Sequence, residues 1–207
     1  MKSADIVMLC AGTSSRMGRI NKMLLPYKGM SLAAFSCLEA LKYLSSLEKG
    51  GNLIVVTGYR RPSLLKSLKP CIDFVENTSS PVKMIVVHNG NYRNGQFSST
   101  KTGVREVREN APFFISLADM PEVLSGHYEE LGEIEEGVMA VRPFVNGVPG
   151  HPVLHASSFR EKILNAPDDC SVSRLLKKEK VCEPQFTDPS WIKDLDTQED
   201  LTSSRIL

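Results

Sequence analysis

Short apolar runs and longer amphipathic segments alternate along the first half of the chain. Four apolar runs bounded by turn residues predict buried strands, at residues 6–10, 53–56, 82–87 and 113–117. Three segments between them predict helices: Ser31 to about Leu47, a short helix opening at Pro62, and Ser98 or Ser99 to about Glu109. This alternation favours βα units and a largely parallel sheet.

The second half of the chain has a less regular pattern. Helices are predicted over residues 125–136, 158–164 and 172–178, the second of them opened by the capping-box spacing of Ser158 and Glu161. The apolar residues 138–141 and 153–154 flank Asn146-Gly147, a dipeptide typical of hairpin turns. Further strands are predicted at residues 182–186 and 191–195, and Thr197 with Asp200 has the spacing of a last capping box. Because neither a repeat nor a linker-like composition interrupts the pattern, residues 1–207 are predicted to form one domain.

Composition narrows the classes of function. Hydrophobic residues make up 42% of the 207, and 25 basic side chains stand against 24 acidic ones. A near-neutral chain of this kind predicts a globular protein and argues against general nucleic-acid binding. Five widely spaced cysteines without a C-x-x-C pair indicate free thiols. With neither a bilayer-length apolar run nor a signal-peptide layout, we expect a cytoplasmic protein without a membrane partner.

A glycine-containing loop with two cations follows the first strand. Small and hydroxyl residues lie between Gly12 and Gly18, and the segment carries Arg16 and Lys22. Such loops can present backbone N–H groups to phosphate oxygens, while Arg and Lys neutralise the charge. The spacing matches neither the G-x-x-x-x-G-K-[ST] loop nor the dinucleotide fingerprint. We predict a nucleoside triphosphate site; an ordinary strand-to-helix loop is the alternative.

Two aspartates stand at the ends of predicted strands. Asp119 follows the strand at 113–117 and precedes Met-Pro, and Asp196 follows the strand at 191–195. Carboxylates beside a phosphate site suit Mg²⁺, which prefers hard oxygen ligands. Asp194 lies two residues before Asp196 and would share its side of an extended strand, so either could be the second ligand. Capping or turn roles are the alternative for all three.

Two other regions carry candidate contacts. The Asn89–Phe97 loop and Ser99 follow the third strand, where an open parallel sheet places its ligands. His151 lies between Gly150 and a proline, and either a substrate contact or a structural role fits it. The remaining histidines, His88, His127 and His155, are expected to be structural.

These motifs together resemble the molybdopterin nucleotidyltransferase family, in particular its molybdenum-cofactor cytidylyltransferase branch. The L-x-A-G-x-S-x-R-M-G opening corresponds to residues 9–18, and Lys22 precedes L-L-P. The later blocks of the family follow in order: N-x-x-Y-x-x-G-x-x-S-S at 89–99, D-M-P at 119–121, G-H-P-V at 150–153 and D-x-D-T-x-E-D-L at 194–201. The acidic segment 168–174 departs from the usual Gly-Ala-Arg, which leaves the acceptor open.

The resemblance implies a fold and a reaction. The fold is a Rossmann-like three-layer α/β sandwich of the nucleotide-diphospho-sugar transferase type, with a mostly parallel sheet and an antiparallel hairpin region. In the reaction an acceptor phosphate attacks the α-phosphorus of a nucleoside triphosphate, and pyrophosphate leaves; the Ala at position 11 favours CTP as that triphosphate. The acceptor is a phosphorylated small molecule such as molybdopterin, and a molybdoenzyme or its chaperone is a possible partner.

The resemblance also assigns roles to residues. Arg16, Lys22 and Asp119 are the catalytic group, and Asp119 with Asp196 holds Mg²⁺. The nucleotide contacts are Ala11, Gly12, Ser14, Gly18 and Ser99. His151 and Arg174 lie on the acceptor side.

Three other functions fit parts of the pattern. A sugar-phosphate or alditol-phosphate nucleotidyltransferase shares the style of the first loop. A non-catalytic nucleotide-binding accessory module of a molybdoenzyme would keep the loop but has less need for the two aspartates. An unrelated flavodoxin-like protein would bind no nucleotide.

Overall fold

The computed structural model describes residues 1–12 and 21–195. Its strands are β1 (Asp5–Cys10), β2 (Pro26–Tyr27), β3 (Met30–Ser31), β4 (Gly51–Thr57), β5 (Val82–His88), β6 (Phe113–Leu117), β7 (Ala140–Val141), β8 (Phe144–Val145), β9 (Val148–Pro149), β10 (Val153–His155), β11 (Val181–Cys182) and β12 (Gln185–Phe186). Its α-helices are α1 (Leu32–Ser46), α2 (Arg61–Ser67), α3 (Lys69–Asn77), α4 (Gln96–Val104), α5 (Ser125–Glu130), α6 (Phe159–Asn165) and α7 (Val172–Leu176). Short 3₁₀ turns cover Lys22–Leu24, Tyr92–Asn94 and Pro189–Trp191.

A seven-stranded sheet in the order β11-β7-β10-β6-β1-β4-β5 forms the centre of the molecule. Strands β6, β1, β4 and β5 run parallel to one another, whereas β10 is antiparallel to both β6 and β7. The four predicted strands of the first half are confirmed, as is the mostly parallel sheet. Because parallel strands end at the same edge, the segments after β1, β5 and β6 meet there.

The sheet divides the hydrophobic core into two layers because successive side chains point to opposite faces. On β1, Ile6 and Met8 belong to the core under α1, α3 and α5, while Val7 and Leu9 belong to the core under α4, α6 and α7. All six residues of β1 are buried. The three-layer arrangement predicted for the chain is therefore confirmed.

Helix α4 packs closely on the sheet because of Gly103. A Cβ atom at this position would lie 2.4 Å from Val7 Cγ1 and 2.7 Å from Val56 Cγ2. Only a residue without a side chain allows this approach of helix and strands. The close packing holds the end of α4 on the sheet, and the other end of this helix, at Gln96, borders the candidate site.

Several helix predictions needed correction. Helix α1 begins as predicted, with Ser31 Oγ accepting from the Ala34 amide at 3.1 Å. Helix α3 was not predicted. Helix α4 begins at Gln96 and ends at Val104, before Glu109, and α5 ends at Glu130, before Gly132 adopts a positive φ of 67°. The capping box predicted at Ser158 was wrong, because Ser158, directly before α6, has helical backbone angles and makes no side-chain cap bond.

The later strands also differ from their predictions. The Asn146-Gly147 turn joins β8 to β9 directly, and the predicted flanking strands β7 and β10 pair with each other in the main sheet. The predicted strand at 182–186 is divided into β11 and β12, in different sheets. The predicted strand at 191–195 was wrong, since Trp191 ends a 3₁₀ turn and residues 192–195 form no strand. The capping box at Thr197 and Asp200 lies outside the described residues.

Two further sequence expectations bear on the fold. All five cysteines are free thiols, as predicted. Within the described ranges, the helices are too short or too polar to cross a membrane.

Candidate functional site

A cleft of about 670 Å³ opens at the carboxyl edge of the central sheet. Ala11 and Gly12 line it directly after β1, and Asp119 lines it after β6. Ser99 of α4 and Asp194 near the end of the described chain line it as well. The topology thus brings together segments that are far apart in sequence, as predicted from their positions after parallel strands.

Asp119, which lines this cleft, forms an ion pair with the buried Lys22. Lys22 Nζ donates to Asp119 Oδ2 at 3.1 Å, and the Lys22 side chain is only 6% exposed against 27% for Asp119. The 3₁₀ turn that carries Lys22 is fixed by Asn21, whose Oδ1 accepts from the Met23 amide and whose Nδ2 donates to Tyr59 O. The turn therefore fixes the position of Lys22 next to Asp119.

The main chain around Asp119 is held from three directions. The Ala118 amide donates to Leu9 O at 3.3 Å, and Ser36 Oγ donates to Ala118 O at 3.0 Å. The Leu195 amide donates to Asp119 O at 3.0 Å. These three contacts involve only the main chain of residues 118 and 119, so they position Asp119 and leave its carboxylate to the ion pair with Lys22 and to the cleft.

The opposite wall of the cleft is organised by the buried Asn89. Its Nδ2 donates to Ser98 Oγ and Ser99 Oγ, both at 2.9 Å, and its Oδ1 accepts from the Asn91 amide. This network fixes the start of α4 against the loop that follows β5. The cleft-lining Tyr92 and Gln96 belong to this loop and helix.

Gly58 lets this wall approach the first loop. A Cβ atom at Gly58 would lie 2.7 Å from Ala11 O and 2.8 Å from Tyr92 Cβ. A larger residue would push the two apart. The width of the cleft beside Ala11 thus depends on this glycine.

A second, smaller pocket of about 160 Å³ adjoins the cleft and shares Gln96 with it. His151 and His155 line it from the β10 side, together with Arg142. His151 Nδ1 donates to Ile115 O at 3.4 Å, since a carbonyl can only accept. We call this cavity the small pocket and the first one the large cleft.

Burial controls the protonation of both histidines in the small pocket. Burial lowers the pKa of His155 to about 3, and His151 and Arg142 add to the effect. Burial also lowers the pKa of His151, although the bond to Ile115 O and the charge of Asp119 oppose the shift. At neutral pH His155 is therefore an uncharged imidazole with one donor and one acceptor.

Residues 191–195, at the end of the described chain, contact both the loop of His151 at the small pocket and Asp119 at the large cleft. The His151 amide donates to Trp191 O at 2.8 Å, and a Cβ at Gly150 would lie 2.3 Å from the same oxygen. Trp191 is fully buried and stacks on Phe186 with ring centroids 4.4 Å apart. Four residues later, Leu195 reaches Asp119. The Trp191 to Leu195 segment thus fixes the loop of His151 relative to Asp119.

Comparison with known proteins identifies the family. The model of the MobA-like NTP transferase domain matches residues 6–183. The chain belongs to this family. The membership confirms the resemblance predicted from the ordered motifs, and it makes the chain a nucleotidyltransferase.

Individual proteins are similar to the chain over nearly its whole length. The molybdenum cofactor cytidylyltransferase of Escherichia coli (strain K12) is 26% identical over 205 residues, which cover 99% of this chain and 97% of that protein. A nucleotidyl transferase from Methanothermobacter thermautotroptrophicus superposes with a TM-score of 0.76 at 17% identity, covering 99% and 97% of the two chains. A Mycobacterium tuberculosis H37Rv protein, solved in complex with manganese, gives 0.68 at 16% identity, covering 98% and 97%. The predicted nucleotide-diphospho-sugar transferase-like fold is thereby confirmed.

The structure places the predicted site residues in three groups. Ala11, Gly12, Ser99 and Asp119 line the large cleft, and the buried Lys22 contacts Asp119. His151 lines the small pocket, whereas Arg174 is exposed on α7, its amide bonded to Ser171 Oγ. The third group lies outside the described residues: Ser14, Arg16, Gly18 and Asp196.

Some cleft and pocket residues carried no recognisable signal in the sequence. Arg142 lies in the small pocket but is surrounded by ordinary loop sequence, whereas Gln96, which lies between the two cavities, belongs to the Asn89–Phe97 loop that was predicted as a candidate contact. His155 was expected to be structural, and only its position beside the small pocket draws attention to it. Asp194 was considered as a ligand by its spacing, and it does line the cleft.

Proposed function

We propose that this nucleotidyltransferase moves CMP from CTP onto the phosphate of a molybdopterin-type acceptor and releases pyrophosphate. The observation that carries the proposal is the contact between the buried Lys22 and Asp119, which lines the large cleft. A cation for the triphosphate and a carboxylate for a metal ion lie side by side there. The similarity to the cytidylyltransferase of E. coli favours CTP and a molybdenum-cofactor acceptor over other pairs.

The residues of the first loop are assigned to the triphosphate. Arg16 and Lys22 would neutralise its charge, and backbone amides from Ala11 to Gly18 would contact its oxygens, with Ser14 contributing a hydroxyl. Ser99 and the loop before it would contact the base. Ala11 and Gly12 line the cleft directly after β1, which supports placing the triphosphate beside the first loop.

The chemistry requires alignment more than proton transfer. A phosphate monoester is largely dianionic near neutral pH, so the attacking oxygen needs little help from a base. The chain must align two anions and reduce their repulsion. We therefore assign no general base, and we assign His151 and Arg174 to the acceptor.

The proposed metal ion is Mg²⁺, held by Asp119 together with Asp196 or Asp194. The donor set fits a hard cation, because carboxylates of Asp119 and Asp194 line one cleft and Asp119 is partly exposed to it. A bound Mg²⁺ would supply positive charge to the phosphate oxygens where transfer occurs. The related M. tuberculosis protein was solved with manganese, a divalent cation of similar preference.

The proposed setting follows from the same reaction. A molybdopterin-type acceptor is used inside the cytoplasm, where a molybdoenzyme or its chaperone could receive the product. We propose the cytoplasm as the location of the reaction and a molybdoenzyme or its chaperone as the downstream partner.

A substrate matrix tests the proposal. Purified protein with Mg²⁺ is given each of the four nucleoside triphosphates with molybdopterin, and in parallel with sugar phosphates and alditol phosphates. We expect pyrophosphate release with CTP and molybdopterin, and none by the Asp119→Ala variant prepared in the same way. Pyrophosphate release with an alditol phosphate alone, or with GTP in preference to CTP, would show that the proposed substrates are wrong. Nucleotide binding without turnover would favour an accessory module.

A further inference from the structure

The small pocket contains buried polar atoms that lack partners. Both ring nitrogens of His155 and the Nε of Arg142 are buried and have no hydrogen-bond partner within the described part of the chain. His155 is fully buried, stacked on Phe159 and tilted against Phe113, with ring centroids 5.2 Å apart in each case. Leaving three such atoms unsatisfied is costly, so these atoms either meet water or meet a ligand.

The same pocket is close to electrical neutrality. The guanidinium of Arg142 is paired with Glu183 and lies over the Phe144 ring. His155 is uncharged, because burial lowers its pKa to about 3. A phosphate group would therefore find little net positive charge here.

The free atoms define a hydrogen-bonding pattern. A neutral imidazole offers one donor and one acceptor, and the Arg142 Nε–H offers a second donor. A planar ring edge with carbonyl or ring-nitrogen acceptors beside an N–H donor matches this pattern. A saturated apolar group would leave all three atoms unsatisfied.

We propose that the small pocket binds an uncharged, hydrogen-bonding heterocyclic ring of the acceptor, with His155 and Arg142 as the residues that select it. The inference rests on the proposed function for the identity of the ligand as an acceptor. Gln96, shared by both cavities, marks the passage between the ring and the acceptor phosphate in the large cleft. At about 160 Å³, the pocket has room for about five water molecules, or for a small ring in their place.

Ring binding is measured directly, without turnover. The probe is pterin, titrated into the full chain and followed by ligand-detected NMR, with inorganic phosphate as an anionic competitor. Ser173 is exposed on α7 and lines the pocket, so Ser173→Phe should obstruct it without disturbing the core. Lys177→Phe, one turn further along at the exposed end of the same helix, is the matched control.

The expected results are specific to the pocket. Pterin should bind to the wild type and be insensitive to phosphate, and Ser173→Phe should weaken it about tenfold or more while Lys177→Phe leaves it unchanged. His155→Phe keeps the ring shape and removes both nitrogens, so it should also weaken pterin while leaving the Kd for CTP unchanged. Should His155→Phe fail to fold, Ser173→Phe still decides the question.

Three outcomes would overturn the inference: no pterin binding, binding unaffected by Ser173→Phe, or displacement of pterin by phosphate. Failure of the proposed function is distinguishable. Pterin binding that depends on the pocket, without CMP transfer to any acceptor, would keep the inference and remove the function. CMP transfer with an unchanged acceptor KM in Ser173→Phe and His155→Phe would keep the proposed function and overturn the inference.

Discussion

The amide of Leu195 donates to the carbonyl oxygen of Asp119 at 3.0 Å. This single bond joins the end of the described chain to the segment after the fourth strand of the parallel sheet. It also places Asp194 in the cleft that Asp119 lines, and Asp119 in turn contacts the buried Lys22. The segment that carries Asp194 is thus held beside Asp119, and so next to a lysine from the front of the chain.

Removal of the buried lysine should weaken nucleotide binding. Lys22→Ala removes a charge-assisted contact, which contributes about 1.5–3 kcal/mol, so the Kd for CTP in the presence of Mg²⁺ should rise roughly 10- to 150-fold. Titration calorimetry measures this change. Lys28→Ala, an exposed lysine in the β2–β3 turn, is the control and should bind CTP as the wild type does. Equal affinities for all three proteins would argue against the triphosphate assignment of Lys22.

Gly103 should tolerate no side chain. Gly103→Ala places a Cβ within 2.4 Å of Val7 and 2.7 Å of Val56, so overpacking should lower the free energy of unfolding by about 1–3 kcal/mol. Urea unfolding followed by circular dichroism measures the loss.

Gly126→Ala is the matched control for this overpacking. Gly126 lies in helix α5, and a Cβ added there would have no neighbour within 4 Å, so alanine should raise stability by about 0.5–1 kcal/mol. A stabilising effect at Gly103 would mean that α4 does not pack on the sheet as described.

His155 should make stability depend on pH. Its pKa is lowered from 6.5 in the unfolded chain to about 3 in the folded one, so its contribution is complete above pH 6.5 and is lost as the pH falls towards 3. Between pH 7 and pH 5 this single group should lower the free energy of unfolding by about 2 kcal/mol. The carboxylates with lowered pKa titrate below this window, so they do not obscure it.

Denaturant unfolding at several pH values, for the wild type and for His155→Phe, isolates this contribution. The variant should lose about 2 kcal/mol less than the wild type over the window. His88→Phe, at an exposed position, should follow the wild type. Parallel pH profiles for wild type and His155→Phe would show that His155 is not buried as a neutral ring.

The buried strands could be predicted from the sequence, whereas one helix and the last segment of the described chain could not. The buried strands β1, β4, β5 and β6 were recognisable because parallel strands covered on both faces are continuous apolar runs. Helix α3 was missed although Cys71, Phe74 and Val75 recur at helical spacing, because the helix is short and follows α2 after Leu68 alone, and only the short helix at Pro62 was predicted there. The segment 191–195 was predicted as a strand from its apolar residues, but Trp191 is buried by stacking on Phe186 rather than by strand pairing.

The site was predictable where its residues follow strands. Asp119 and Ser99 could be placed at one sheet edge from topology alone, and the cleft confirms that they line one cavity. The small pocket could not be predicted, because it depends on β10 running antiparallel between β6 and β7 and on Arg142 reaching across to it. The roles of Arg16 and Asp196 remain predictions, as both lie outside the described residues.

The most direct test of the central claim is pyrophosphate release by Asp119→Ala. Its main-chain bond to Leu195 survives the substitution, so the variant should fold with the wild-type circular dichroism spectrum. With Mg²⁺, CTP and molybdopterin, release should fall by about three orders of magnitude, because several kcal/mol of charge stabilisation is lost, while Asp73→Ala on the surface of α3 keeps wild-type turnover. Wild-type turnover by a folded Asp119→Ala would contradict the account.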